Sequence, residues 1–164
     1  MSSRPPVPAL RYPEARFCLT LVLGALAGHA GLSAELGPAD VAEQWGLVGD
    51  WAMDCRQPPA KDNAHYSFVR QGSALQVRRD LGFLKDENQV LSAGITSEGQ
   101  LELVTEYKAF SRVMTSRYLK DGADQFHAVS NKDEKNAYAI RDGKSTATGS
   151  PAPVMSRCSK TDKE

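Results

Sequence analysis

Residues 64–107, AHYSFVRQGSALQVRRDLGFLKDENQVLSAGITSEGQLELVTEY, decide the fold class. Tyr66 and Phe68 alternate with their neighbours up to Gln71-Gly72-Ser73, and Leu75 and Val77 mark the next segment. Residues 83–87 read as a charged turn. Leu91, Ala93 and Ile95 then mark a strand that ends at Ser97-Glu98-Gly99, and Leu101 and Leu103 mark another. Apolar residues at period two, punctuated by Gly, Asn, Asp and Ser, predict short antiparallel strands joined as hairpins.

The pattern continues outward in both directions. Upstream, Trp51, Met53 and Cys55 alternate with Ala52 and Asp54 as a first strand, and residues 56–64 form a loop carrying Pro58-Pro59 and Asp62-Asn63. Downstream, strands are predicted over 113–119, around Phe126 and Ala128, and around Tyr138 and Ile140, with a last extended piece over 154–158. The strand count predicts an all-β, eight-stranded up-and-down barrel, since closure removes the exposed edges of a small meander. A two-sheet sandwich fits the count almost as well. Eight strands leave an interior just wide enough for side chains or one small ligand. Before the barrel, Pro38, Asp40 and the spacing of Val41, Trp45 and Val48 predict one short helix over 38–45.

Composition narrows the function classes. The 164 residues carry 20 Lys+Arg against 20 Asp+Glu, which leaves no basic footprint for nucleic acid. The apolar fraction of 41 % is that of a folded protein. The N-terminus stands apart: Arg4, Arg11 and Arg16 precede an apolar run over 17–34 that ends in small residues. A basic start, an apolar centre and a small-residue exit predict a signal peptide over 1–34, cleaved after Ala30 or Ala34. An uncleaved anchor is the alternative. No membrane span is expected after signal removal, and the compartment is then periplasmic or secreted. The remaining chain divides into an arm with the short helix (35–48), the barrel (49–160) and a disordered tail (161–164). Two cysteines stay behind, Cys55 and Cys158, and an even pair in an exported chain reads as one disulfide.

Gly49-Asp50-Trp51 on the first strand, after a short helical entry, together with Arg157 on the last piece, resembles the lipocalin-like (calycin) barrels. The resemblance implies that Trp51 plugs the closed end, that Arg157 packs over its ring, and that Gly49 permits a close approach. The stretch 46–55 with Pro58-Pro59 and the closing RDG and RC elements also resembles a group of small exported bacterial proteins with no assigned activity. That likeness implies compartment and fold only. Small bacterial metalloprotease inhibitors are similar in size and in their Gly-x-Trp, and imply a protein partner reached by a mobile N-terminal segment. Their disulfide closes a short loop, whereas Cys55 and Cys158 lie at opposite ends of the domain.

No residues point to an enzyme, a metal or a cofactor. His65 and His127 are isolated, whereas a zinc site needs three or four ligands. No nucleophile–base set can be named. Asp50 and Asp54 share a strand face roughly 13 Å apart, too far to share a proton. Asn131-Lys132-Asp133-Glu134-Lys135-Asn136 and Lys85-Asp86-Glu87-Asn88 read as solvated hairpin loops. Gly143-Lys144-Ser145 lacks the upstream glycine and the helix of a phosphate loop. Arg79 shares a face with Leu75 and Val77, and Arg117 with Val113 and Leu119. If these faces point inward, Arg79 and Arg117 either pair with a carboxylate such as Asp80 or Glu106 or hold the anionic group of a small ligand. The sequence therefore predicts a non-enzymatic binder of a small ligand, with a protein-partner module as the alternative.

Overall fold

A computed structural model describes residues 36–159. The predicted signal peptide, its cleavage sites and the tail over 161–164 lie outside them. One helix, α1 (Pro38–Trp45), precedes ten strands: β1 (Gly49–Ala52), β2 (His65–Gln71), β3 (Ala74–Asp80), β4 (Lys85–Ile95), β5 (Leu101–Tyr107), β6 (Arg112–Lys120), β7 (Gln125–Asp133), β8 (Tyr138–Arg141), β9 (Lys144–Ser145) and β10 (Val154–Arg157). Strands β1 to β7 pair antiparallel in chain order, and β10 pairs with both β7 and β1. Eight strands thus close into a barrel, as the hairpin pattern predicts, and no sandwich forms.

The closing strand is β10. The predicted eighth strand, β8, instead forms a hairpin with β9 that leans off β7. Two shorter corrections follow from local geometry. β1 stops at Ala52, so Met53 to Cys55 turn away and Asp50 and Asp54 do not share a strand face. β4 begins inside the predicted charged turn, which shrinks to residues 81–84, so Lys85-Asp86-Glu87-Asn88 is strand and not loop. Asp133 likewise still belongs to β7, and the turn covers only 134–137.

Helix α1 is a plug, built from its own sequence. Pro38 supplies a helical φ at the first turn. The Asp40 carboxylate accepts the Gly37 N–H at 3.1 Å, and Gly46 ends the helix in the left-handed conformation. Ala39, Val41, Ala42 and Trp45 are buried against the barrel, while Asp40 and Glu43 face outward and hold Arg70. Ala39 N–H donates to Ser73 O, the Trp45 indole donates to Gly99 O, and Lys120 lies over the Trp45 ring. Ser73 and Gly99 belong to the β2–β3 and β4–β5 connections and Lys120 ends β6 just before the β6–β7 connection, so α1 seals that end. The β3–β4 and β5–β6 turns lie at the opposite end.

The sealed half holds the core. Phe126 is buried among Trp45, Trp51, Phe68 and Tyr118, each meeting it edge-on. Leu75, Val90, Leu101 and Leu103 fill the adjoining wall. Trp51 donates its indole N–H to Leu47 O at 2.7 Å. The Arg157 guanidinium lies 4.3 Å over the Trp51 ring and donates to Val48 O and Gly46 O. Gly49 has φ +133°, and a Cβ there would stand 2.8 Å from the Arg157 guanidinium, so both the backbone and the arginine demand glycine. Arg157→Ala removes two charge-assisted hydrogen bonds and a cation–π contact at the closing strand. A loss of about 2–3 kcal/mol in denaturant unfolding is expected.

Candidate functional site

The other half of the barrel is not filled. A cavity of ≈ 580 Å³ lies between the core and the open end. Its floor and walls are Phe68, Val77, Met114, Phe126, Ala128 and Met155, and it reaches solvent past Phe110, Arg112, Ile140 and Pro153. Phe110, on a 3-10 turn (Lys108–Phe110), is 54 % exposed.

A polar belt crosses the mouth at one level, because strand register puts the residues side by side. Tyr66 faces Arg79, Arg79 faces Asp86, and Tyr107 faces Arg112 as directly opposed strand partners. Arg79 bridges the two groups: it donates through Nε and Nη2 to the Asp86 carboxylate and stacks 4.1 Å from the Tyr107 ring centre. Asn88, one step deeper on β4, donates to Asp86 at 2.7 Å, and its own carbonyl is buried with no partner. Side chains of Arg79 and Asp86 are 12 % and 9 % exposed. At such burial a lone charge is costly and a matched pair is tolerated.

The electrostatics follow from burial. Desolvation pushes the Asp86 carboxyl up, but the Arg79 hydrogen bonds and charge, helped by Asn88, outweigh it and hold the group below the usual carboxylate range. Burial pulls Arg79 down, and Asp86 and Tyr107 more than restore it, so it stays charged. Burial raises the Tyr66 and Tyr107 phenols and pushes Tyr118 up to about 12. All three are neutral at physiological pH. The Tyr66 and Tyr107 hydroxyls meet no hydrogen-bond partner among the described residues, and Arg112 meets no carboxylate there.

The two arginines singled out from sequence therefore part company. Arg79 lines the cavity, paired with Asp86 and not with Asp80 or Glu106. Arg117 stands on the outer face with Glu102 at 2.6 Å, because β6 runs in the opposite phase to the one its apolar residues suggest. Its row of Met114, Ser116 and Tyr118 faces inward. Sequence reading also puts Asn131, which lines the cavity and donates to Ser116 Oγ, and Asp86 and Asn88 in solvated loops, whereas all three lie on strands. The signal available for the last two was their alternation with Val90, a period-two row whose inward members are polar.

The remaining candidates serve local structure. His65 lies 3.0 Å from Gln57 O in the β1–β2 loop, which Asn63 organises by donating to three carbonyls. His127 Nδ1 lies 2.6 Å from Asp121 outside the cavity lining. Asp50 accepts from Ser67, and Asp54 accepts from the Arg56 N–H. Cys55 and Cys158 form a disulfide. Among the described residues no three His, Cys, Asp or Glu side chains gather at one point, and no helix is long and apolar enough to cross a membrane. No family model, curated protein or solved structure matches the chain.

Proposed function

We propose that this is an exported, non-enzymatic barrel protein that binds one small, largely apolar ligand inside the barrel. The carrying observation is the ≈ 580 Å³ cavity, apolar in its depth and bordered at its mouth by the Tyr66 and Tyr107 phenols. Sites for small molecules have this volume and this make-up, a greasy interior with a few placed polar groups. The non-enzymatic reading rests on the lining, where the titratable groups are two arginines and three tyrosines, a set without a nucleophile–base pair. The disulfide supports export, because such bonds persist in oxidising compartments. A protein-partner module would have a filled interior with a mobile N-terminal arm or an exposed apolar patch, whereas this interior holds a cavity and residues 38–47 are packed into the barrel end.

Titration with the neutral probe N-phenyl-1-naphthylamine tests the reading. A saturable one-to-one fluorescence rise is expected. Ala128→Phe, which fills the cavity from its wall, is expected to weaken binding at least about tenfold with circular dichroism unchanged. Absence of saturable binding, or binding untouched by Ala128→Phe, contradicts the proposal.

A further inference from the structure

The chemistry of the mouth says more about the ligand than the volume does, and this step rests on the ligand-binding reading above. Within the belt, Asp86 takes up Arg79 through two hydrogen bonds, so that pair carries no net charge toward a ligand. Arg112 differs. It lines the same cavity, it is exposed at the rim, and it has no carboxylate partner among the described residues. Of the seven other arginines among the described residues, six (Arg56, Arg70, Arg78, Arg79, Arg117 and Arg157) have one, and Arg141, outside the cavity lining, stacks on Tyr138.

A second, independent observation points the same way. Tyr107, 9 % exposed and directly opposite Arg112 on the neighbouring strand, presents a hydroxyl without a partner among the described residues. Arg79 stacks on its ring at 4.1 Å, which holds the phenol in place. Tyr66, opposite Arg79, adds a second hydroxyl of the same kind. The two hydroxyls can each donate at the mouth, above the unpartnered Asn88 carbonyl one step deeper, and one unneutralised positive charge stands beside them. An anionic oxygen is the acceptor that a phenol and a guanidinium share best.

We infer that the barrel takes an amphipathic organic anion, its apolar body in the depth of the cavity and its carboxylate, sulfonate or phosphate oxygen between Arg112 and the Tyr107 hydroxyl. Arg79 is a positioning residue that holds Tyr107, and Asp86 keeps Arg79 from competing for the anion.

Two probes with the same ring system separate charge from bulk: neutral N-phenyl-1-naphthylamine and anionic 8-anilinonaphthalene-1-sulfonate. The anion is expected to bind about tenfold more tightly at low salt, and added salt is expected to erode that advantage. Arg112→Gln, at an exposed site that does not threaten the fold, is expected to bring the two affinities together. Tyr107→Phe is expected to reduce it by a few-fold. Equal affinities, or an advantage that survives Arg112→Gln, overturn the anion assignment while the neutral probe still reports a working cavity. Failure of both probes to bind overturns the assignment together with the ligand-binding reading.

Discussion

Cys158→Ser is expected to lower the stability of the barrel by about 4–5 kcal/mol in guanidinium chloride unfolding. The disulfide joins positions 103 residues apart, so its loss frees nearly the whole barrel chain in the unfolded state. In the chain-entropy view a loop of that length sits near the top of the range. Native geometry adds to the effect. The closing strand β10 has four residues, and it alone joins β7 to β1. Just past its end, Cys158 N–H donates to Asp50 O. Without the crosslink, fraying of β10 exposes two strand edges at once. Reductant is expected to reproduce the mutant midpoint in the wild-type protein and to leave the Cys158→Ser midpoint where it is. A midpoint unchanged by both treatments contradicts the role given to the bridge.

Asp86→Ala is expected to cost about 3–5 kcal/mol, the penalty for stranding a partner charge in the interior. Arg79 would keep its place on Tyr107 with no carboxylate to receive it. Replacing both partners by apolar residues of similar size, Arg79→Met with Asp86→Leu, is expected to restore most of the loss, because the penalty belongs to the unpaired charge and not to the missing bridge. The pH dependence has a definite sign. Asp86 titrates below its ordinary range in the folded barrel. Its contribution is therefore complete above the unfolded carboxyl value of about 3.9 and fades as pH falls through the lower folded value. Acid titration of wild type against Asp86→Asn between about pH 5 and 2 checks this. The gap between them is expected to narrow toward the acid end, and a gap that widens there contradicts the assignment.

Legibility in the sequence tracked the contrast between inside and outside. Where the barrel is filled, Leu101 and Leu103 alternate with Glu102, and the strand, its phase and its burial all follow. Helix α1 announces itself through Pro38 and Asp40. Gly49, Trp51 and Arg157 are paired across more than a hundred residues by their resemblance to lipocalin-like barrels and not by any local pattern. Where the cavity begins, that contrast disappears. The inner row of β4 is Asp86, Asn88 and Val90, and the inner row of β6 is Arg112, Met114, Ser116 and Tyr118. Meanwhile the outer row of β6 holds Val113 and Leu119. A hydropathy rule assigns both rows to the wrong side, so Arg117 looks inward and Asp86 looks like a loop residue.

Bulges compound the difficulty, since one extra residue changes which side the rest of the strand faces. β4 shifts register between Val90 and Ser92, and β7 runs against β6 with a shift at Arg117/Tyr118. The β8–β9 hairpin also displaces the expected eighth strand, leaving closure to a short segment that follows a proline-bearing loop. The residues that line the cavity were the hardest to place, and for one reason: that wall is partly polar.

Native mass spectrometry of the protein purified without refolding tests the central claim most directly. The account predicts a one-to-one species heavier than the denatured chain by a few hundred daltons, the mass range a cavity of ≈ 580 Å³ accommodates. The added mass is expected to vanish in the Ala128→Phe protein. A native mass equal to the denatured one, in protein that also fails to take up the neutral naphthylamine probe, contradicts it.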